Sequence, residues 1–434
     1  MKRSISAWAV VCATGAVMGA TNIQFKAGGD IRLRHDVTDA LPSYGRKESE
    51  ASNYGRYRFR AYGEMDLGDA KIFGRVADEF RWYQSPSSNS RKQVFPDVLF
   101  IDQLYFSYTG LFDVLDLTLG RQEIIYGSKR IVSDGTGGDG SRSKYFDGAR
   151  FAWHIDEART LDFFAVYCAA DDYLPTLGRE HKNGKQPTHY DQNGYLQDEY
   201  GAGVYYQDRA NRDFGFDLYF VSKAERRGQR SKFRGEGADA YSHTFGTRLL
   251  PRWNDRWSSE FEFAGQAGSD HLLAANVYGD LTYAFNAVCK PKLTGALWML
   301  TGDAEGDRGE HAWHAVFNRE TGTGEAIAPM YNKYDYTNLV YPHLKFGVDC
   351  GDFSTLKLQS GPMFTAVREK DAGNYRGLYA QVRYEMKLDR LFDCEYLHGG
   401  TFALQGEWFD KGGYFKDDYD SSAFFARAEI GWKF

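Results

Sequence analysis

Beyond its first twenty residues this chain has no stretch approaching eighteen apolar residues, so no helix is expected to cross a membrane. Its mean hydropathy of −0.55 likewise excludes a helical membrane bundle. Charge of one sign is also lacking: the net charge is only −6, which favours no nucleic-acid partner. Proline is scarce, 10 in 434 residues, and cysteines number five. No nucleophile–base motif is present, so the chain is not read as an enzyme, and no cofactor motif stands out. What is abundant is aromatic: 30 tyrosines, 31 phenylalanines and 47 glycines. That composition excludes disorder.

Residues 1–20 read as a cleaved signal peptide. Lys2 and Arg3 provide the positive start, Ile5 to Val17 the apolar stretch, and Met18-Gly19-Ala20 the cleavage site. Cys12 is a bystander in the apolar region. Residues 21–434 then repeat one pattern, about ten residues of apolar–polar alternation followed by a connection. The last strand shows it best. Phe424, Ala426, Ala428, Ile430, Trp432 and Phe434 share one parity, while Arg427, Glu429 and Lys433 share the other. Such strands show one face to lipid and one to water, and their averages look soluble.

Energetics orient the early strand 53–67. An arginine at the bilayer midplane costs about 2–4 kcal/mol. Three would approach the entire stability of a typical domain, about 5–15 kcal/mol. Arg56, Arg58 and Arg60 must therefore face the lumen, with Tyr57, Phe59 and Met65 on the lipid side. Leu218, Phe263, Leu281 and Val382 are lipid-facing by the same argument. Arg121 and Asp78 break parity, which predicts a bulge or strand end near each.

The expectation is an all-β fold: a transmembrane antiparallel up-and-down β-barrel of about eighteen strands in a bacterial outer membrane. Connections support it. Those at 37–52, 84–98, 126–143, 169–198, 224–240 and 301–338 are long and alternate with tight turns such as 67–70, 156–158 and 350–352. Long loops belong outside and short turns in the periplasm. The eleventh connection, 267–270, should be an outer loop yet is short. Outer-membrane lipids are one expected partner. The barrel assembly machinery, engaged through the closing strand ending at Phe434, is another.

Cys289, Cys350 and Cys394 fall at expected periplasmic turns and Cys168 at an outer strand end. Free or partly buried thiols are the favoured reading, with a Cys350–Cys394 staple between nearby turns the alternative. Residues 134–140 have a calcium-loop composition without its full spacing, and His311 and His314 lack further zinc ligands, so no metal site is assigned. The loop 304–334 is a candidate plug.

The run Leu117-Thr118-Leu119-Gly120-Arg121-Gln122-Glu123-Ile124-Ile125-Tyr126-Gly127 with Arg130, then Phe146-Asp147-Gly148-Ala149-Arg150-Phe151, resembles the signature of the alginate export family of outer-membrane barrels. Residues 260–268 and Leu300-Thr301-Gly302-Asp303 resemble its second half. The resemblance implies an eighteen-stranded barrel, a basic pore lining and passage of an acidic polysaccharide.

Eighteen strands enclose an aqueous channel whose lining charge sets selectivity. The expected lining residues are Arg32, Arg34, Arg56, Arg58, Arg60, Arg75, Arg150 and Arg383, whose planar forks suit carboxylates. Glu260, Glu262 and Tyr62 complete the set. Tyr62, Tyr205, Tyr219 and Tyr379 either stack on sugar rings or brace the wall. Strand two lies across from strand eleven, so Arg56, Arg58 and Arg60 should face Glu260 and Glu262, a basic wall against an acidic one. The expected function is a porin-like channel passing anionic saccharides or small organic acids.

Overall fold

The computed structural model describes residues 23–43, 47–48, 51–85, 98–133, 145–169, 173–178, 198–226, 239–304, 306, 309–318, 337–370, 372–392, 394–415 and 422–434. The expected signal peptide and the loop 134–140 lie outside the described residues. The first barrel strands are β1 (Gln24–Asp39), β2 (Ser52–Asp66), β3 (Ala70–Ser85), β4 (Val98–Leu111), β5 (Leu115–Gln122) and β6 (Phe146–Asp156). Next come β7 (Arg159–Cys168), β8 (Glu199–Asp208), β9 (Phe214–Glu225), β10 (Ala240–Pro251), β11 (Trp257–Gly268) and β12 (Leu273–Ala284). The last are β13 (Lys292–Leu300), β14 (Leu339–Cys350), β15 (Ser354–Phe364), β16 (Tyr375–Lys387), β17 (Gly400–Lys411) and β18 (Ser422–Lys433). Among the described residues these eighteen form one antiparallel ring, each strand paired with its neighbours in sequence, and β18 closes onto β1.

Alternation explains the wall. Leu218, Phe263, Leu281, Leu344, Val382, Trp408 and Ile430 are exposed on the outside, while Asp217, Glu262, Arg56 and Arg427 are buried on the inside. The apolar exterior is stable only in a bilayer, whereas the ring of paired strands leaves no open edge. At the seam Leu33 pairs with Ile430, and beyond the last strand residue the ladder continues: Gly29 and Phe434 exchange backbone hydrogen bonds of 2.9 and 3.0 Å. A side chain at Gly29 would meet the Phe434 ring at 2.9 Å, so glycine lets the aromatic terminus lie against β1.

The parity breaks have local causes. Gly120 has φ +120°, and it turns Arg121 inward, where it is buried against Asp147. Near Asp78, the β3–β4 register shifts between Arg75 and Val76, leaving Asp102 unmatched. Short turns sit where expected; Gly68 and Gly351 take φ +89° and +62°. One periplasmic connection is longer, because 388–399 carries a helical turn, α1 (Leu388–Phe392). No helix among the described residues is long and apolar enough to cross a membrane.

The bore is not simply water-filled. A hydrophobic cluster occupies part of it, joining Ile124, Tyr126, Ile131 and Val132 from the β5–β6 connection and Trp313, Val316 and Phe317 from the β13–β14 connection to wall residues such as Phe146, Phe164, Tyr205 and Val221.

Candidate functional site

Two connections fold inward as straps and narrow the bore. The first, 123–133, returns on itself through Gly127 and Lys129, both at positive φ. The second, of which 309–318 is described, forms a parallel bridge to it at Val132 and Phe317. Backbone bonds of 2.9 Å (Ser133 to Phe317) and 3.0 Å (Phe317 to Ile131) join the straps. The second strap is also held by the wall: the Gln266 side chain bonds both the His314 amide and carbonyl, and Lys223 donates to the Ala315 carbonyl. The short eleventh connection has a use here. Asp270 and Leu273 exchange backbone bonds with Glu310 across it, so the low rim is where the strap crosses. The candidate plug at 304–334 thus has its described part inside the barrel; residues 319–336 lie outside the described residues.

Arg130 anchors the first strap. Its guanidinium donates to Glu260 (2.7 Å) and Glu262 (3.0 Å) on β11 and lies 3.4 Å from the centre of the Tyr278 ring. Ser128 donates to Glu262 as well. Burial opposes the Arg130 charge, but Glu262 and Glu260 outweigh it and raise its pKa, so it remains a cation. Beside it, Arg248 bonds Glu260 (3.0 Å) and Asp217 (3.4 Å). Tyr126, Tyr205 and Tyr219 stack at centroid distances of 4.4 and 5.4 Å, and donate to Asp162, Asp217 and Glu262 respectively. These tyrosines are packed within wall and strap, and Tyr379 is equally buried, so none presents an open ring face to the bore. Tyr62 stacks on Phe73 at 5.5 Å.

The arginine ladder lies on β1–β3. Arg32 and Arg56 share Glu79 at 3.4 and 2.8 Å, Arg58 and Arg60 share Asp30 at 3.1 and 2.6 Å, and Arg34 bonds Glu429. Arg75 reaches Asp102 (2.6 Å) and Glu123 (2.9 Å). Arg150 pairs with Asp162 on β7, and Arg383 with Glu385 and Glu429. Every arginine of the expected lining therefore has a carboxylate in contact range.

This corrects the picture of opposed bare walls. Glu260 and Glu262 are held by Arg130 and Arg248, and the ladder carries its own counter-charges. Accessibility also differs within the set: 37% of the Arg150 side chain and 27% of Arg383 are open, against 8% of Arg58 and 10% of Arg60. Arg150 and Arg383 are thus the most open of the expected lining arginines. Arg130, Arg248, Asp217 and Lys345 are lumenal groups that the lining expectation left out. Among the described residues no cluster of metal-ligating side chains forms.

No protein-family model matches the chain, and no curated protein matches it. Solved structures do. Pseudomonas aeruginosa OccK5 (OpdH) superposes with a TM-score of 0.60 at 12% identity, over 94% of this chain and 98% of that one. OpdL of the same organism gives 0.60 at 10% identity, over 95% and 99%. The outer-membrane protein OpdK, in a structure with vanillate, gives 0.57 at 10% identity, over 94% and 98%. The fold is that of an outer-membrane barrel. At such identities the likeness concerns the fold alone, and the barrel with two strapped loops is the frame within which the lining residues act.

Proposed function

We propose that this barrel is an outer-membrane channel for the passive passage of small organic acids. The observation that carries the reading is a pair of partly open lumenal guanidiniums, Arg150 and Arg383, together with the packed arginine bank Arg32, Arg34, Arg56, Arg58, Arg60 and Arg75 on β1–β3. A guanidinium presents five donors, and one carboxylate engages two at most, so arginines already paired still attract a passing carboxylate. Anion preference through charged lining is the ordinary means of selectivity in such pores.

Small acids are favoured over an acidic polymer because the straps and their aromatic cluster fill part of the bore. The residues resembling the alginate export signature bear on the same choice. Arg121 is clamped bidentately to Asp147 at 2.8 and 3.1 Å, so these two motif positions brace β5 against β6 rather than face solute. That the similar barrel OpdK was solved with vanillate, an aromatic carboxylate, adds support.

The test is liposome swelling with the purified barrel. Small carboxylates are expected to enter faster than neutral sugars of equal size, and uronate oligomers more slowly than monomers. Equal rates for acids and neutral solutes would refute the proposal.

A further inference from the structure

Two of the periplasmic cysteines are placed to react with each other. Cys289 lies in the connection between β12 and β13, and Cys350 ends β14. Their sulfurs are 3.1 Å apart although the residues are 61 positions distant in sequence. The backbone fixes this approach independently of the side chains: Asp349 donates to the Cys289 carbonyl at 2.9 Å, and the β13–β14 register places Lys292 opposite Gly347. Cys350 is exposed and Cys289 half-buried, so an oxidant can reach the pair.

Cys394 belongs to the opposite flank. Its connection touches the β14–β15 turn through Arg390 and Asp352 (2.9 Å) and through Lys387 and Phe353 (3.0 Å). Cys350 therefore stands between two neighbouring turns, each with a thiol, but its sulfur contacts Cys289. Cys168 is fully buried at the far end of the barrel. The pairing Cys350–Cys394, suggested by turn proximity in sequence, is not the one the geometry favours.

We infer that Cys289 and Cys350 form a disulfide that staples the β12–β13 turn to the end of β14 on the periplasmic face. A disulfide needs the sulfurs only about 1 Å closer than they stand, a movement within side-chain rotation. The periplasm holds such bonds oxidised, and the inference rests on the outer-membrane reading for that compartment alone. The oxidant is a periplasmic dithiol carrier in its disulfide form. The Cys350 thiolate attacks one carrier sulfur, breaking the carrier disulfide and giving a mixed disulfide. The Cys289 thiolate then attacks the Cys350 sulfur, forming the staple and expelling the carrier as a dithiol. Two electrons leave the cysteines and reduce the carrier; the two thiol protons are released and two are taken up by it.

The measurement is a thiol map of the full-length barrel extracted from outer membranes in excess iodoacetamide, without reductant. Cys289 and Cys350 are expected to resist alkylation before reduction, whereas Cys394 is open to it. Reduction should raise the intact mass by about 2 Da, the two hydrogens regained, and expose two further thiols. A cross-linked peptide pair containing Cys289 and Cys350 should be present in the wild type and absent from Cys350→Ser. Complete alkylation of both residues in the unreduced, folded wild type overturns the inference. So does a Cys350–Cys394 peptide in its place. The wild-type map decides the matter even if the serine variant assembles poorly, and neither result depends on what the channel carries.

Discussion

Asp36 on β1 and Arg427 on β18 join the two ends of the chain by a bidentate contact of 2.7 and 2.8 Å, with both side chains buried inside the seam. The two residues are direct partners across the β1–β18 ladder, yet lie 391 positions apart in sequence. Removing one partner leaves a buried charge without its counter-ion, which costs about 3–5 kcal/mol.

Asp36→Ala is therefore expected to lower the temperature at which the folded barrel shifts to its unfolded mobility on gels. The double exchange Asp36→Arg with Arg427→Asp should recover part of the loss. A single variant as heat-resistant as wild type would show that the seam does not depend on this contact.

Arg130→Ala removes the cation shared by Glu260 and Glu262 and loosens the first strap. In planar bilayers the reversal potential is expected to move towards cations and the conductance to rise. Unchanged values for both would mean that the strap neither narrows the path nor screens the β11 carboxylates.

Arg150→Glu and Arg58→Glu separate accessibility from mere lumenal placement. The Arg150 variant should shift selectivity towards cations, because its side chain is partly open, though beside the buried Asp162 it should also cost some folded barrel. Arg58→Glu puts a carboxylate beside Asp30 in a packed bank, so a lower yield of folded barrel is expected as well. Folded yield and reversal potential together distinguish the two.

Gly120→Ala tests the turn that sends Arg121 inward. At φ +120° an added Cβ would stand 2.4 Å from the Leu104 carbonyl oxygen, a clash with backbone. Gly68 takes φ +89° but has open space around it. Strain alone costs about 1–3 kcal/mol. Gly68→Ala should lose about that, and Gly120→Ala distinctly more, measured by denaturant unfolding in detergent.

The wall was legible because period two is a strong signal and an arginine in lipid is costly: Arg58, Glu262 and Val382 all face the side their parity assigned. The straps were not. Arg130 meets Glu260 and Glu262 across 130 and 132 positions, and nothing periodic in 123–133 points to them. A local counter-charge was missed for a related reason. Asp102 is the unmatched residue of the register shift at Arg75, so it carries the parity of the exposed Leu104 although it is buried; Glu79 shares the parity of Arg75 and was legible. Arg248 follows Ser242, Thr244 and Gly246, small inward residues that give β10 little polar contrast. The approach of Cys289 to Cys350 was not legible because sequence orders the turns but not the direction in which each sulfur points.

The bridge between Val132 and Phe317 unites parts of the polypeptide that emerge far apart during synthesis. Until the chain beyond β13 is in place, the earlier strap is held only by its contacts with preceding strands, such as those of Arg130 and Ser128 with β11. The closure of the two straps on each other is consequently among the last features of the bore to be completed.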